Sequence, residues 1–233
     1  MATGARILMS MEPPHMTPAM PIDRDLITLM QWLSPSFPIG AFAYSHGVET
    51  AVTEHWVHDG PSLHAWLRGV LCDGSGRSDA IWLRLGHGAA DCDLVQLDAE
   101  ARAYAPARER RLEAERQGAA FVNTVNAVWQ MDLPSCILPL AVGAASRRQG
   151  IDLEAVVPLY LHSFASNLIA VAQRLMPLGQ TEAQGVLAGL QGDIEAVAFK
   201  TRDAGIEDVE SHAFLSDIAA MRHEGLEPRL FQS

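Results

Sequence analysis

Positive charge is scarce in this chain, with 17 lysines and arginines against 28 aspartates and glutamates and a formal net charge of −11. That balance repels nucleic acid and acidic membrane surfaces, so neither is expected as a partner. The one basic cluster, Arg108, Arg110 and Arg111, is interleaved with Glu109, Glu113 and Glu115 and reads as a solvated helix face. Cysteine is scarcer still. Cys72, Cys92 and Cys136 are odd in number and widely spaced, which excludes a disulfide framework and a paired-thiolate metal knuckle and suggests a reducing, cytoplasmic compartment. The longest mostly apolar stretch, Leu133 to Ala145, falls short of the roughly 20 residues that span a bilayer. Near the N-terminus, Pro13, Pro14, Pro18 and Pro21 interrupt any signal-peptide apolar core, and residues 1–21 are expected to form a flexible tail. No phosphate-binding loop, dinucleotide fingerprint or paired-carboxylate site is present, so no cofactor is implied.

What the chain does have is apolar residues at helical spacing. Leu26, Leu29, Met30 and Leu33 recur at i, i+3, i+4 and i+7 and predict a helix from Asp25 to Leu33, stopping before Pro35. A second helix is expected from Tyr44 to Thr53, with Ser45 at its start. Pro61 suits a first turn, and Leu63, Trp66, Leu67, Val70 and Leu71 repeat the spacing until Gly74-Ser75-Gly76 interrupts it. Further helices are predicted over Asp79–Leu85, Asp91–Tyr104 and Pro106–Trp129. The stretch from Cys136 to Ala145 is apolar on all sides and should be central, with Gly150 ending it. Asp152 can cap a long helix carrying Val156, Leu159, Tyr160, Phe164, Leu168, Val171 and Leu175, which Pro158 should kink or start. Thr181 with Gln184 forms a capping-box pattern for a helix to Lys200, and Asp217 to Glu224 is a short last one. Strand alternation is missing. The expected fold is an all-α, single-domain bundle over residues 22–224, followed by an extended tail over 225–233.

Three features bear on chemistry. Between Ser34 and Glu49, two prolines, two glycines and several aromatics are packed too densely for an ordinary linker, so the segment is a structured turn. Its Ala43-Tyr44-Ser45-His46-Gly47 core is one residue from the nucleophile elbow of serine hydrolases, a reading that would make Ser45 a nucleophile. An elbow needs a buried strand before it, and a proline-rich turn precedes this one. His55 and His58, with His46 and His64 nearby, could hold nickel or zinc and make this a metal storage or transport protein. The following Asp59-Gly60-Pro61 favours a helix end, where histidine is common. From the residues alone the chain reads as an all-helical binding protein.

The stretch L-x-x-W-L-S-P-S-F-P-I-G-A-F-A-Y-S-H-G-V-E around Tyr44, the run from Arg174 through Pro177-Leu178-Gly179-Gln180, and Asp217-Ile218-Ala219-Ala220-Met221-Arg222-His223-Glu224 leading to Arg229-Leu230-Phe231-Gln232-Ser233 together resemble the urease accessory protein UreF family, over about residues 24–233. The resemblance implies an all-helical, non-enzymatic chaperone for nickel insertion into urease. It implies a homodimer that binds the accessory protein UreD (UreH in some organisms), recruits the GTPase UreG to the urease apoprotein, and has a proposed role in regulating that GTPase. It also implies partner contacts through Tyr44, Arg174, Gln180, Arg222, His223, Glu224, Arg229, Leu230 and Phe231. Position 232 is glutamine where the family frequently has a basic residue. Arg229 offers a planar fork of donors suited to a partner's carboxylate, and Leu230 and Phe231 beside it form an apolar anchor that either docks on a partner or packs back on its own domain.

Overall fold

A computed structural model describes residues 24–233, so the expectation for residues 1–21 lies outside the described part. Within it stand eleven α-helices and no strand: α1 (Arg24–Trp32), α2 (Val48–Thr53), α3 (Gly60–Asp73), α4 (Ser75–Gly88), α5 (Asp91–Ala103), α6 (Arg108–Trp129), α7 (Leu138–Gln149), α8 (Leu153–Leu175), α9 (Gln180–Gly189), α10 (Gln191–Lys200) and α11 (Phe214–His223). Single 3-10 turns cover Ala41–Ala43 and Ile206–Asp208.

α7 and α8 occupy the centre. Every residue of α7 from Leu138 to Ser146 is buried, as its unbroken apolar composition requires, and Gly150 closes the helix in the left-handed conformation at φ 71°. α8 packs on α2, α3, α4, α7, α9 and α10, starts at the predicted Asp152 cap, and runs through Pro158 without ending there. It is also long and apolar enough to cross a membrane by length and composition, yet half of its most apolar window is buried in the bundle.

The most extensive helix pair is α4 on α7. A Cβ at Gly143 would lie 2.0 Å from the Leu83 carbonyl oxygen, and one at Gly86 would lie 2.5 Å from that of Leu140. Glycine at both positions is therefore what lets the two backbones touch. The same need explains why α4 begins at Ser75 and not at Asp79. Gly74-Ser75-Gly76 looks like a break, but Gly76 sits inside the helix because Leu71 Cα would be 2.7 Å from its Cβ.

Other expectations shift. In α1, Leu29 and Trp32 are buried and Leu33 packs partly on the core, whereas Leu26 and Met30 face out. Trp32 stands edge-on to Phe121 and Trp129, each with ring centroids 5.7 Å away, and Phe37 packs 5.4 Å from Phe121. That aromatic cluster pins the turn after α1 to α6. The helix expected over Thr181–Lys200 is two helices meeting at Leu190, and Gly179 precedes the first with no side-chain cap, so the Thr181/Gln184 box is not made.

Candidate partner-binding site

α2 does not begin at Tyr44. Gly40 (φ 72°) starts a 3-10 turn, Tyr44 is extended, and His46 (φ 54°) and Gly47 (φ 80°) are left-handed, so the helix starts at Val48. Gly47 has a second reason to be glycine: a Cβ there would stand 3.2 Å from both Ala219 Cβ and Ala220 N, so α11 lies directly over it. Ser45 is accordingly not a helix-start residue. It is fully buried, and its backbone N–H donates to Ser233 O at 2.6 Å while its hydroxyl donates to the same atom.

Those contacts bring the C-terminal segment onto the bundle. Gln232 N donates to Ala43 O at 2.8 Å, giving the tail a short strand-like pairing with the turn. Glu49, only 3% exposed, takes the Leu230 N–H at 2.6 Å and the Phe231 N–H at 3.1 Å on its two carboxylate oxygens. Arg229 donates to Glu109 Oε1 at 2.6 Å. His223 is completely buried between the two acids, with Nδ1 2.7 Å from Glu109 Oε2 and Nε2 3.0 Å from Glu49 Oε2. The Glu224 carboxylate accepts from Arg108 N, supplying the α6 N-terminus with the anion its own sequence lacks at the cap. Ser233 Oγ donates to Glu113 at 2.8 Å.

Phe231 is buried in its own domain, and the Arg174 guanidinium lies over its ring, 4.5 Å from the centroid, while also donating to the Phe42 carbonyl. Leu230, just before it in the chain, is 70% exposed. Tyr44 is buried and lines a groove of about 440 Å³ with Arg108, Glu109, Arg116, Arg229 and Phe231. Arg222 lies apart, over Trp56 and 3.5 Å from Glu54. Gln180 stands exposed at the first turn of α9 and takes no part in these contacts. The structure thus gathers Tyr44, Arg174, His223, Glu224, Arg229, Leu230 and Phe231 around one docked tail and leaves Arg222 and Gln180 outside it.

Sequence reasoning missed the acids that hold this arrangement. Glu109 and Glu113 read as part of a solvated face, but Glu113 is 7% exposed and paired with Arg110, itself nearly buried. Burial alone would raise the Glu113 carboxyl; Arg110 beside it and its hydrogen bonds hold it down to about 2. Burial, then Arg110, pushes the His46 ring down to about 4; its Nε2 faces Ser75 Oγ at 2.5 Å. Asp79, bonded to the Tyr160 hydroxyl at 2.8 Å, is pushed up to about 6 by burial in spite of Arg110 and that hydroxyl. No local pattern in the sequence marks these acids, because the groups they hold lie far along the chain.

Neither rival chemistry finds a site. Ser45 Oγ is committed to Ser233 and follows no strand. Among the described residues no group of three or more histidine, cysteine and acidic side chains is gathered for a metal ion, and His58 is exposed with only Asp59 near it, at 3.8 Å.

The UreF family model matches residues 57–191, more than half of the chain. The chain belongs to the UreF family. It is 45% identical over 207 residues to the urease accessory protein UreF of Roseobacter denitrificans, covering 89% of this chain and 93% of that protein. The Cereibacter sphaeroides protein of that name is 47% identical over 208 residues, at 89% and 98% coverage, and the Bradyrhizobium one 41% over 236 residues, at 95% and 98%. UreF proteins are accessory chaperones and not enzymes. Membership also implies working with the other components of urease maturation.

Proposed function

We propose that this protein helps insert nickel into urease by bridging UreD (or UreH) and the GTPase UreG at the apoprotein, through the surface built on the docked C-terminal tail. The observation that carries this reading is that two segments far apart in sequence, around Arg174 and around Arg229–Phe231, meet the Tyr44 turn in one place. Phe231 is anchored inward; Leu230 and the rim of Arg229 are presented outward. An exposed leucine beside a fixed arginine is a compact recognition element, apolar at its centre and charged at its edge. Arg174 connects it to the Phe42 turn, and through this connection a partner could influence GTP turnover. The protein acts as a homodimer in the cytoplasm; its three unpaired cysteines suit a reducing compartment.

Co-purification with UreD and UreG tests the bridge. Removing residues 225–233, or Arg229→Ala, should abolish recovery of both partners with helical circular dichroism unchanged. Leu230→Ala should weaken recovery without disturbing any of the tail's contacts with its own domain. Full recovery with all three variants overturns the proposal. Arg174→Ala should lower nickel-dependent urease activation in a reconstituted mixture; full activation removes that residue from the working surface.

A further inference from the structure

Along α6, Arg108, Leu112 and Arg116 stand at i, i+4 and i+8 and line the groove of about 440 Å³ that runs beside the docked tail, which supplies Arg229 and Gln232. Most arginines elsewhere hold an acid, as Arg68 holds Asp193 and Arg110 holds Glu113. These two on α6 do not. Among the described residues neither forms an ion pair: the Arg108 guanidinium makes no hydrogen bond, and that of Arg116 donates only to the neutral Gln232 amide, at 2.9 Å. Both arginines are exposed, and Leu112 between them is half-buried.

The acids of the groove are engaged already. Glu109 accepts from Arg229 and faces His223, and Glu224 accepts from the Arg108 backbone N–H. With three arginines against these two acids, the groove is a positive site on a chain whose net charge is −11. A ligand that brings carboxylates meets two free guanidinia, each able to offer a pair of parallel N–H donors.

Helical rise sets the spacing of such a ligand. Eight residues of α-helix advance about 12 Å. An extended chain covers that distance in about four residues, at roughly 3.3 Å each, and its residues i, i+2 and i+4 point to one side. A segment with an acid at i, an apolar residue at i+2 and an acid at i+4 therefore aims one carboxylate at each arginine and its apolar side chain at Leu112. Nucleic acid is a poorer fit, because the chain as a whole repels a polyanion and two carboxylates stand in the groove itself.

We infer that the groove between α6 and the C-terminal segment docks an extended acidic segment of a partner protein, with Arg108 and Arg116 each holding a carboxylate and Leu112 the apolar residue between them. The groove borders the surface assigned to partners above and so rests on that reading, but it adds residues outside it and a defined ligand chemistry.

Titration of the full chain with the end-blocked peptide Glu-Ala-Leu-Ala-Glu, followed by NMR of the arginine Nε–H groups, tests the groove. The Arg108 and Arg116 signals, assigned by their loss in Arg108→Gln and Arg116→Gln, should shift. Each substitution should weaken binding by about threefold to fivefold with circular dichroism unchanged, and the peptide Gln-Ala-Leu-Ala-Gln should bind about tenfold more weakly than the acidic one. Added salt should weaken the acidic peptide. No shift at either signal, equal binding of the two peptides, or binding unchanged in the double variant each overturns the inference; a short oligothymidylate that binds as tightly as the acidic peptide overturns the assignment to a protein segment. No accessory protein is present in this titration, so its failure is distinct from a failure of co-purification.

Discussion

Where α4 meets α7, two glycines let backbones touch amid Leu83, Leu140 and Val142. Where the C-terminal segment meets α2 and α6, Glu49, Glu109, His223 and Arg229 do the joining and few apolar side chains are buried. The first seam has no low-cost open state, because parting it exposes the centre of the core. The second can part with its charges becoming hydrated. A chaperone needs both: a body that keeps its shape, and a surface whose presentation can change.

Breaking the first seam should have the larger effect. Gly143→Val places side-chain atoms where the Leu83 carbonyl stands and should cost about 3 kcal/mol or more, or prevent folding; chemical denaturation measures it. Glu49→Ala attacks the second seam by removing the acceptor for two backbone N–H groups and one ring nitrogen. Breaking a buried pair of this kind costs about 3–5 kcal/mol locally, but the loss to the whole chain stops once the segment is released. Global unfolding should move by less than in Gly143→Val, while proteolysis after Arg229 speeds up strongly.

The smallest effect concerns pH at the polar groups beneath the tail. The His46 ring, held down to about 4, contributes stability that is present above about 6.5 and lost as pH falls to about 4. Glu113, held at about 2, contributes stability present above its unfolded value and lost as pH falls through about 2. Asp79 has the opposite sign. Its carboxyl is raised to about 6, so its contribution is complete below the ordinary aspartate range and is lost as pH rises through about 6. Asp79→Asn should therefore steepen the rise of stability between pH 4 and 6 by about 1–2 kcal/mol, measured by denaturation at a series of pH values.

The two seams also differ in how far they can be read from sequence. α3 and α7 were legible because burial imposes a period on neighbouring residues, as with Leu63, Leu67, Val70 and Leu71. The start of α4 was misread because Gly76 answers to Leu71 across a helix pair, and a glycine chosen for close approach looks like one chosen for a turn. The family motifs single out Tyr44, Arg174 and the tail, and the structure shows what joins them: the docked C-terminal segment. Glu49 contacts residues 181 and 182 positions away, and no local pattern announces such a bond. Glu113 misled for a related reason: with arginines on either side it has the composition of a surface helix, and its depth is set by the tail that closes over it.

Leu230 and Phe231 point to opposite sides, one into solvent and one into the body, so the orientation of whatever touches Leu230 is set by residues that never leave the interior. A random mutagenesis screen for lost assembly should therefore recover Glu49, Glu109 and Ser45 as readily as Leu230. Plotted on the surface, such hits would look scattered; traced along the tail, they form a single lever.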